Sequence, residues 1–154
     1  MLIFLILNFL YAAECPHGSD RFNCVEFIRA KDGDTIVVDI PGVHSYFGSK
    51  IDVRLYGIDT PESKSKDNCE KRLAREARKL VESNLKNAKR IDLKLIANKK
   101  GRMRKEKYGR MLADVVYDSK SLTDSLLAHS LGVRYEGKKK AKTNWCALGA
   151  KYLK

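Results

Sequence analysis

The stretch Ile51-Asp-Val-Arg-Leu-Tyr-Gly-Ile-Asp-Thr-Pro-Glu62 constrains the fold more than any other. Apolar Ile51, Val53 and Leu55 alternate with Asp52, Arg54 and Tyr56, the period of two of a half-buried β-strand. The alternation stops at Gly57. Asp59, Thr60 and Glu62 then follow in quick succession, and Pro61 between them cannot donate to a ladder. Two carboxylates are therefore carried at a strand end, with Arg54 leaving the polar face of the same strand. Oxygen ligands of this kind suit a hard divalent cation, and a guanidinium suits a phosphate.

The remaining periodicities place this strand third of five. Val25 to Ala30 reads as a first strand, Asp32-Gly33 as a tight turn, and β-branched Thr35 to Ile40 as the return of a hairpin. Pro41 to Gly48 is a connecting loop. From Cys69 to Ala88 the residues Leu73, Ala77, Leu80, Val81, Leu85 and Ala88 recur at three- and four-residue intervals among Lys, Arg and Glu, an amphipathic helix. Ile91, Leu93 and Leu95 mark a fourth strand, Asn98 to Lys107 a glycine- and lysine-rich loop, and Met111 to Tyr117 a fifth strand. Ser121 and Asp124 have capping-box spacing before a second helix that carries Leu122, Leu126, Leu127 and Leu131 and stops at Gly132. Thr143 caps a short last helix with Trp145, Leu148 and Tyr152 on one side. A chain of 154 residues suffices for one core, and the order of elements is α+β.

Charge is regional. Residues 64 to 110 hold 18 Lys and Arg against 6 Asp and Glu, a net of +12, so the 13 basic and 13 acidic residues outside that span cancel. A surface of this kind attracts polyanions, and the run Lys99-Lys-Gly-Arg-Met-Arg-Lys105 reads as a phosphate-contact surface giving affinity without base specificity. Residues 1–13 are apolar except Asn8 and read as a secretory signal peptide. The alternative is a membrane anchor, although the run is shorter than the ~20 residues of a spanning helix. Export is to the medium or the periplasm, and no membrane contact is expected after leader removal. Cys15, Cys24, Cys69 and Cys146 lack Cys-x-x-Cys spacing, which argues against zinc. In an exported chain they form two disulfides; three connectivities are open, and locality favours Cys15 with Cys24 and Cys69 with Cys146.

Two further motifs frame the opening stretch: Asp32-Gly-Asp-Thr-Ile36 before it and Lys107-Tyr-Gly-Arg-Met-Leu-Ala113 after it. Together the three resemble the thermonuclease (staphylococcal nuclease) family, in its bacterial exported branch, over Val25 to Leu153. The resemblance implies a five-stranded OB-fold barrel with three helices, formed by residues 25–154 after an arm of residues 14–24. It implies Asp34, Asp59 and the backbone carbonyl of Thr60 as Ca2+ ligands, Glu62 as general base, and Arg54 and Arg110 as phosphate-binding catalytic residues. Tyr108, Tyr135, Lys105 and Lys107 then contact the substrate. The implied activity is that of a calcium-dependent endonuclease, a monomer hydrolysing phosphodiesters of DNA and RNA and leaving 3′-phosphate ends. The alternative is a non-catalytic nucleic-acid-binding OB-fold module; degenerate copies lose metal ligands and arginines, whereas this chain keeps them.

Overall fold

The computed structural model describes residues 15–104, 108–137 and 142–153. In chain order the strands are β1 (Arg21–Phe22), β2 (Glu26–Asp32), β3 (Thr35–Asp39), β4 (Ile51–Leu55), β5 (Ile58–Asp59), β6 (Ile91–Leu95), β7 (Met111–Tyr117), β8 (Lys120–Ser121) and β9 (Val133–Arg134). The helices are α1 (Ser45–Gly48), α2 (Asn68–Lys86), α3 (Leu122–Ala128) and α4 (Trp145–Leu148), with a 3-10 turn at Ala150–Tyr152. The main sheet runs β1-β6-β7-β4-β3-β2, with β8 added to β7, while β5 and β9 pair separately. β4 lies inside it, antiparallel to β3 and parallel to β7, so its two edges are both used.

This is the α+β architecture of an OB-fold. The ladder is an open path, but its ends approach: Val25, just before β2, donates its N–H to the Ile91 carbonyl of β6 at 2.9 Å. The same edge of β6 takes Arg21 and Phe22, so the arm is partly strand. The disulfide Cys15–Cys24 closes it, and Cys69–Cys146 ties the first turn of α2 to α4, the pairing favoured by locality.

The five long strands and α2 fall close to where periodicity puts them. Asp67 caps α2 by accepting the Cys69 N–H at 2.8 Å, and Leu73, Ala77, Val81 and Leu85 enter the core with Ile36, Val38, Val53 and Leu93. Three readings need correction. The Pro41–Gly48 loop contains the one-turn α1, capped by the His44 side chain. Helix α3 ends at Ala128 rather than at Gly132, because Ser130 takes the left-handed conformation (φ 57°). The Leu131 N–H then bonds to Leu126 and that of Ser130 to Leu127, a Schellman closure. Gly132 is instead needed for space, since a Cβ there would lie 2.5 Å from Cδ1 of Ile58. Finally, Asn144 and not Thr143 caps α4. Among the described residues no helix is long and apolar enough to cross a membrane. The leader at residues 1–13 lies outside the described residues.

Gly33 joins this scaffold to the strand ends. A Cβ at Gly33 would sit 2.7 Å from Cβ of Ala77 on α2 and 3.0 Å from the Thr60 hydroxyl. Gly33→Ala should therefore destabilise the chain by about 1–3 kcal/mol in urea unfolding. Adding Ala77→Gly should cost less in that background than alone; strictly additive effects would show that the two positions do not press on each other.

Candidate active site at the strand ends

Adjacent strands bring the three motifs together. Thr35 of β3 pairs with Arg54 of β4, and Arg54 with Leu112 of β7, so residues flanking Asp34, Arg54 and Arg110 share one end of the sheet. Gly57 turns the chain with φ 77°, a left-handed conformation suited to glycine. β5 then holds Asp59 by pairing it with Val133 of β9. The same pairing carries Tyr135 to the site, and its N–H donates to the Gly57 carbonyl at 3.1 Å.

At the centre is Arg54. The alternation puts its side chain on a polar face, but the structure buries it to 8% exposure, because the turn after β4 folds back over it. Its Nη1 lies 3.0 Å from Oδ2 of Asp34 and its Nη2 3.8 Å from Oδ1 of Asp59. Nη1 also donates to the carbonyls of Asp34 and Leu55, each at 3.3 Å, and Nη2 to that of Ile58 at 3.0 Å. Asp34, Asp59 and Thr60 are likewise buried. The hydroxyls of Thr35 and Thr60 donate to Asp34 at 3.0 and 3.1 Å, and Arg110 Nη1 donates to the Thr35 hydroxyl at 3.0 Å. Arg110 thus reaches Asp34 through one side chain.

One buried guanidinium faces two buried carboxylates, leaving that inner group one negative charge in excess when both are ionised. Burial pushes the pKa of the Asp34 carboxyl above its ordinary value, with Asp59 adding to the rise and Arg54, Thr35 and Thr60 opposing it. An oxygen-only set with surplus negative charge fits a hard divalent cation, with Asp34, Asp59 and Thr60 as the residues to hold it. The carboxylates of Asp34, Asp59 and Glu62 are not drawn together within 4.8 Å. Among the described residues, only Asp67, Cys69 and Cys146 satisfy that spacing, and both sulfurs there are in the disulfide.

A cleft of about 590 Å³ opens over Asp34 and Arg54, bordered by Glu62, Tyr108, Arg110 and Tyr135. Asp59 and Thr60 are not among its lining residues and lie at its back, Thr60 bonded to Asp34. Tyr108 is 76% exposed, with the Arg110 guanidinium 5.8 Å from its ring centre. Lys105 and Lys107 lie outside the described residues. The sequence reading did not single out Asp32, Arg104 and Glu136, which also line the cleft. Arg104 was visible only as part of a basic run, and Glu136 carries no motif. Glu70 was missed too, although it stands three residues after the cap Asp67, the spacing of a capping box.

The family described as "Staphylococcal nuclease homologue" matches residues 52–149. Endonuclease YncB of Bacillus subtilis (strain 168) is 36% identical over 121 residues, which is 77% of this chain and 52% of that protein. The SPbeta prophage-derived endonuclease YokF of the same organism is 39% identical over 103 residues, 67% of this chain and 31% of that protein. The chain therefore spans about half of one relative's length and about a third of the other's.

Since the folded-state acidity of Asp34 is weakened, the cation-free chain takes up a proton there on folding and loses stability as the pH rises through the carboxylate range. A cation held by Asp34 would displace that proton. Calcium should therefore raise the unfolding temperature most at neutral pH, and the gain should fade as the pH drops into the carboxylate range. Thermal scans at both pH values test this, and Asp34→Asn should show little calcium gain at either. An equal gain at both pH values would place the cation elsewhere.

Proposed function

Because the chain belongs to the family of staphylococcal nuclease homologues, we propose that it is an exported, calcium-dependent endonuclease hydrolysing phosphodiester bonds of DNA and RNA and leaving 3′-phosphate ends. One observation carries this reading. The buried Asp34–Arg54–Asp59 group, with its surplus negative charge, backs a cleft whose rim bears Arg110, Tyr108 and Glu62. The names of the two relatives, both endonucleases, support the same class of reaction.

Phosphodiester hydrolysis is slow because an anionic centre repels its nucleophile and gathers further charge in the transition state. A calcium ion held by Asp34, Asp59 and Thr60 would supply positive charge to the phosphate oxygens and a template for water. Arg110, whose guanidinium is held by Thr35, presents planar donors to the phosphate. Arg54 holds Asp34, lies near Asp59 and, in this reading, shares its donors with the phosphate at the mouth of the cleft. Exposed Glu62 accepts the proton of the attacking water. Tyr108 and Tyr135 offer ring faces to the nucleotide, and Lys105 and Lys107 add backbone-phosphate contacts that carry no sequence preference. The two disulfides support an oxidising compartment, in line with export.

Incubating the purified chain with plasmid DNA and with RNA, in calcium or in a chelator, separates this reading from a binding module. Both substrates should be degraded with calcium and neither with the chelator; binding without degradation in any metal would favour the module. Glu62→Gln should keep calcium affinity and lower turnover by roughly 10²- to 10⁴-fold, the usual contribution of a positioned base. Lys105→Ala should weaken binding and flatten its salt dependence by about one phosphate contact while leaving turnover at saturation unchanged.

A further inference from the structure

Between Thr60 and α2 the chain has no regular structure, yet it carries Glu62 to the cleft. Its geometry comes from one side chain of α2. Glu70 Oε1 accepts the backbone N–H of Glu62 at 3.0 Å, and Glu70 Oε2 accepts the hydroxyl of Ser65 at 2.6 Å. Ser65 in turn donates its N–H to the Glu62 carbonyl at 3.2 Å. Ser63, next to Glu62, donates its hydroxyl to Asp32 at 2.8 Å, so the segment is fastened to the β2–β3 turn as well.

An acidic residue three places after a helix cap usually turns back to the N–H of the cap itself. Here the Asp67 N–H donates instead to the Ser65 hydroxyl at 3.2 Å. That substitution releases Glu70 from capping duty, and both its oxygens go to residues five and eight positions upstream. The base of Glu70 is rigid: Cys69 beside it is disulfide-bonded to Cys146 on α4, and Leu73, one turn on, is fully buried. The rigidity of the core is thereby passed to the backbone of Glu62, directly through its N–H and indirectly through Ser65, while the Glu62 side chain is exposed at the cleft.

We propose that Glu70 is a positioning residue for Glu62, setting the location of the proton acceptor rather than taking part in binding or chemistry. This rests on the reading of Glu62 as the general base. An ångström of misplacement at a reacting group costs up to ~10² in rate, and a group that positions only the base acts on turnover and not on substrate affinity. Glu70→Ala should therefore lower kcat on a DNA oligonucleotide by about ten- to a hundredfold, with KM and calcium affinity little changed. Glu70→Gln keeps an oxygen for the Glu62 N–H and should restore most of the rate.

Asp67→Ala is the control, because it removes the α2 cap without touching Glu70 or Glu62. It should lower the unfolding temperature and leave kcat unchanged. A parental kcat in Glu70→Ala, in a preparation where Glu62→Gln is inactive, would overturn the positioning role alone. An equal loss of kcat in Asp67→Ala would also overturn it, assigning the effect to helix stability. A fully active Glu62→Gln would remove the base itself, and the proposal with it.

Discussion

The ion group at Arg54 is the constraint on which the strand ends depend. A guanidinium removed from water is costly unless every donor finds an oxygen, and breaking such a group by deleting one partner costs about 3–5 kcal/mol. Arg54 Nη1 and Nη2 find the Asp34 carboxylate at 3.0 Å and the carbonyls of Asp34, Leu55 and Ile58, with Asp59 farther off at 3.8 Å. Those carbonyls belong to β4, to the residue before β3 and to β5. One side chain therefore ties together three segments at this end of the sheet.

The same group explains why the site is both rigid and charged. The carboxylates exceed the guanidinium by one, and the threonine hydroxyls orient Asp34 without neutralising it. Folding energy supplied elsewhere, by the α2 face against the sheet and by the Cys69–Cys146 link, holds this surplus charge in place. Around that fixed centre the cleft-lining groups are carried on turns and loops. Tyr108 and Arg110 precede β7, Tyr135 follows β9, and Glu62 precedes α2. Groups carried on connecting segments over a rigid scaffold are a common way to build a binding cleft.

Much of this was legible in the sequence where a period repeats. The alternations of β2 to β4, β6 and β7 and the stripe of α2 gave element type and nearly the bounds, since each is long enough for its pattern to exceed chance. The α+β class followed from the order of elements, and the grouping of Asp34, Arg54, Asp59 and Thr60 from the family resemblance carried by the three motifs. What escaped depends on contacts rather than on pattern. Arg54 alternates like a surface residue and is buried only because the Gly57 turn returns over it. β5 and β9 are two residues each, too short for periodicity, and exist because they pair. Ser130 adopts a conformation usually left to glycine, which shifted the end of α3 away from Gly132. Glu70 has capping-box spacing, and nothing local says that Ser65 has taken its place.

The central claim is that Asp34 and Asp59, held by Arg54, form the seat of a divalent cation. Anomalous diffraction from crystals of the chain soaked in calcium and a nucleoside bisphosphate tests it most directly. The account predicts one strong peak in contact with both carboxylates and with the Thr60 carbonyl, and with the phosphate nearest Arg110. A peak at another cluster, or none in crystals whose dissolved protein cleaves DNA with calcium, would contradict it.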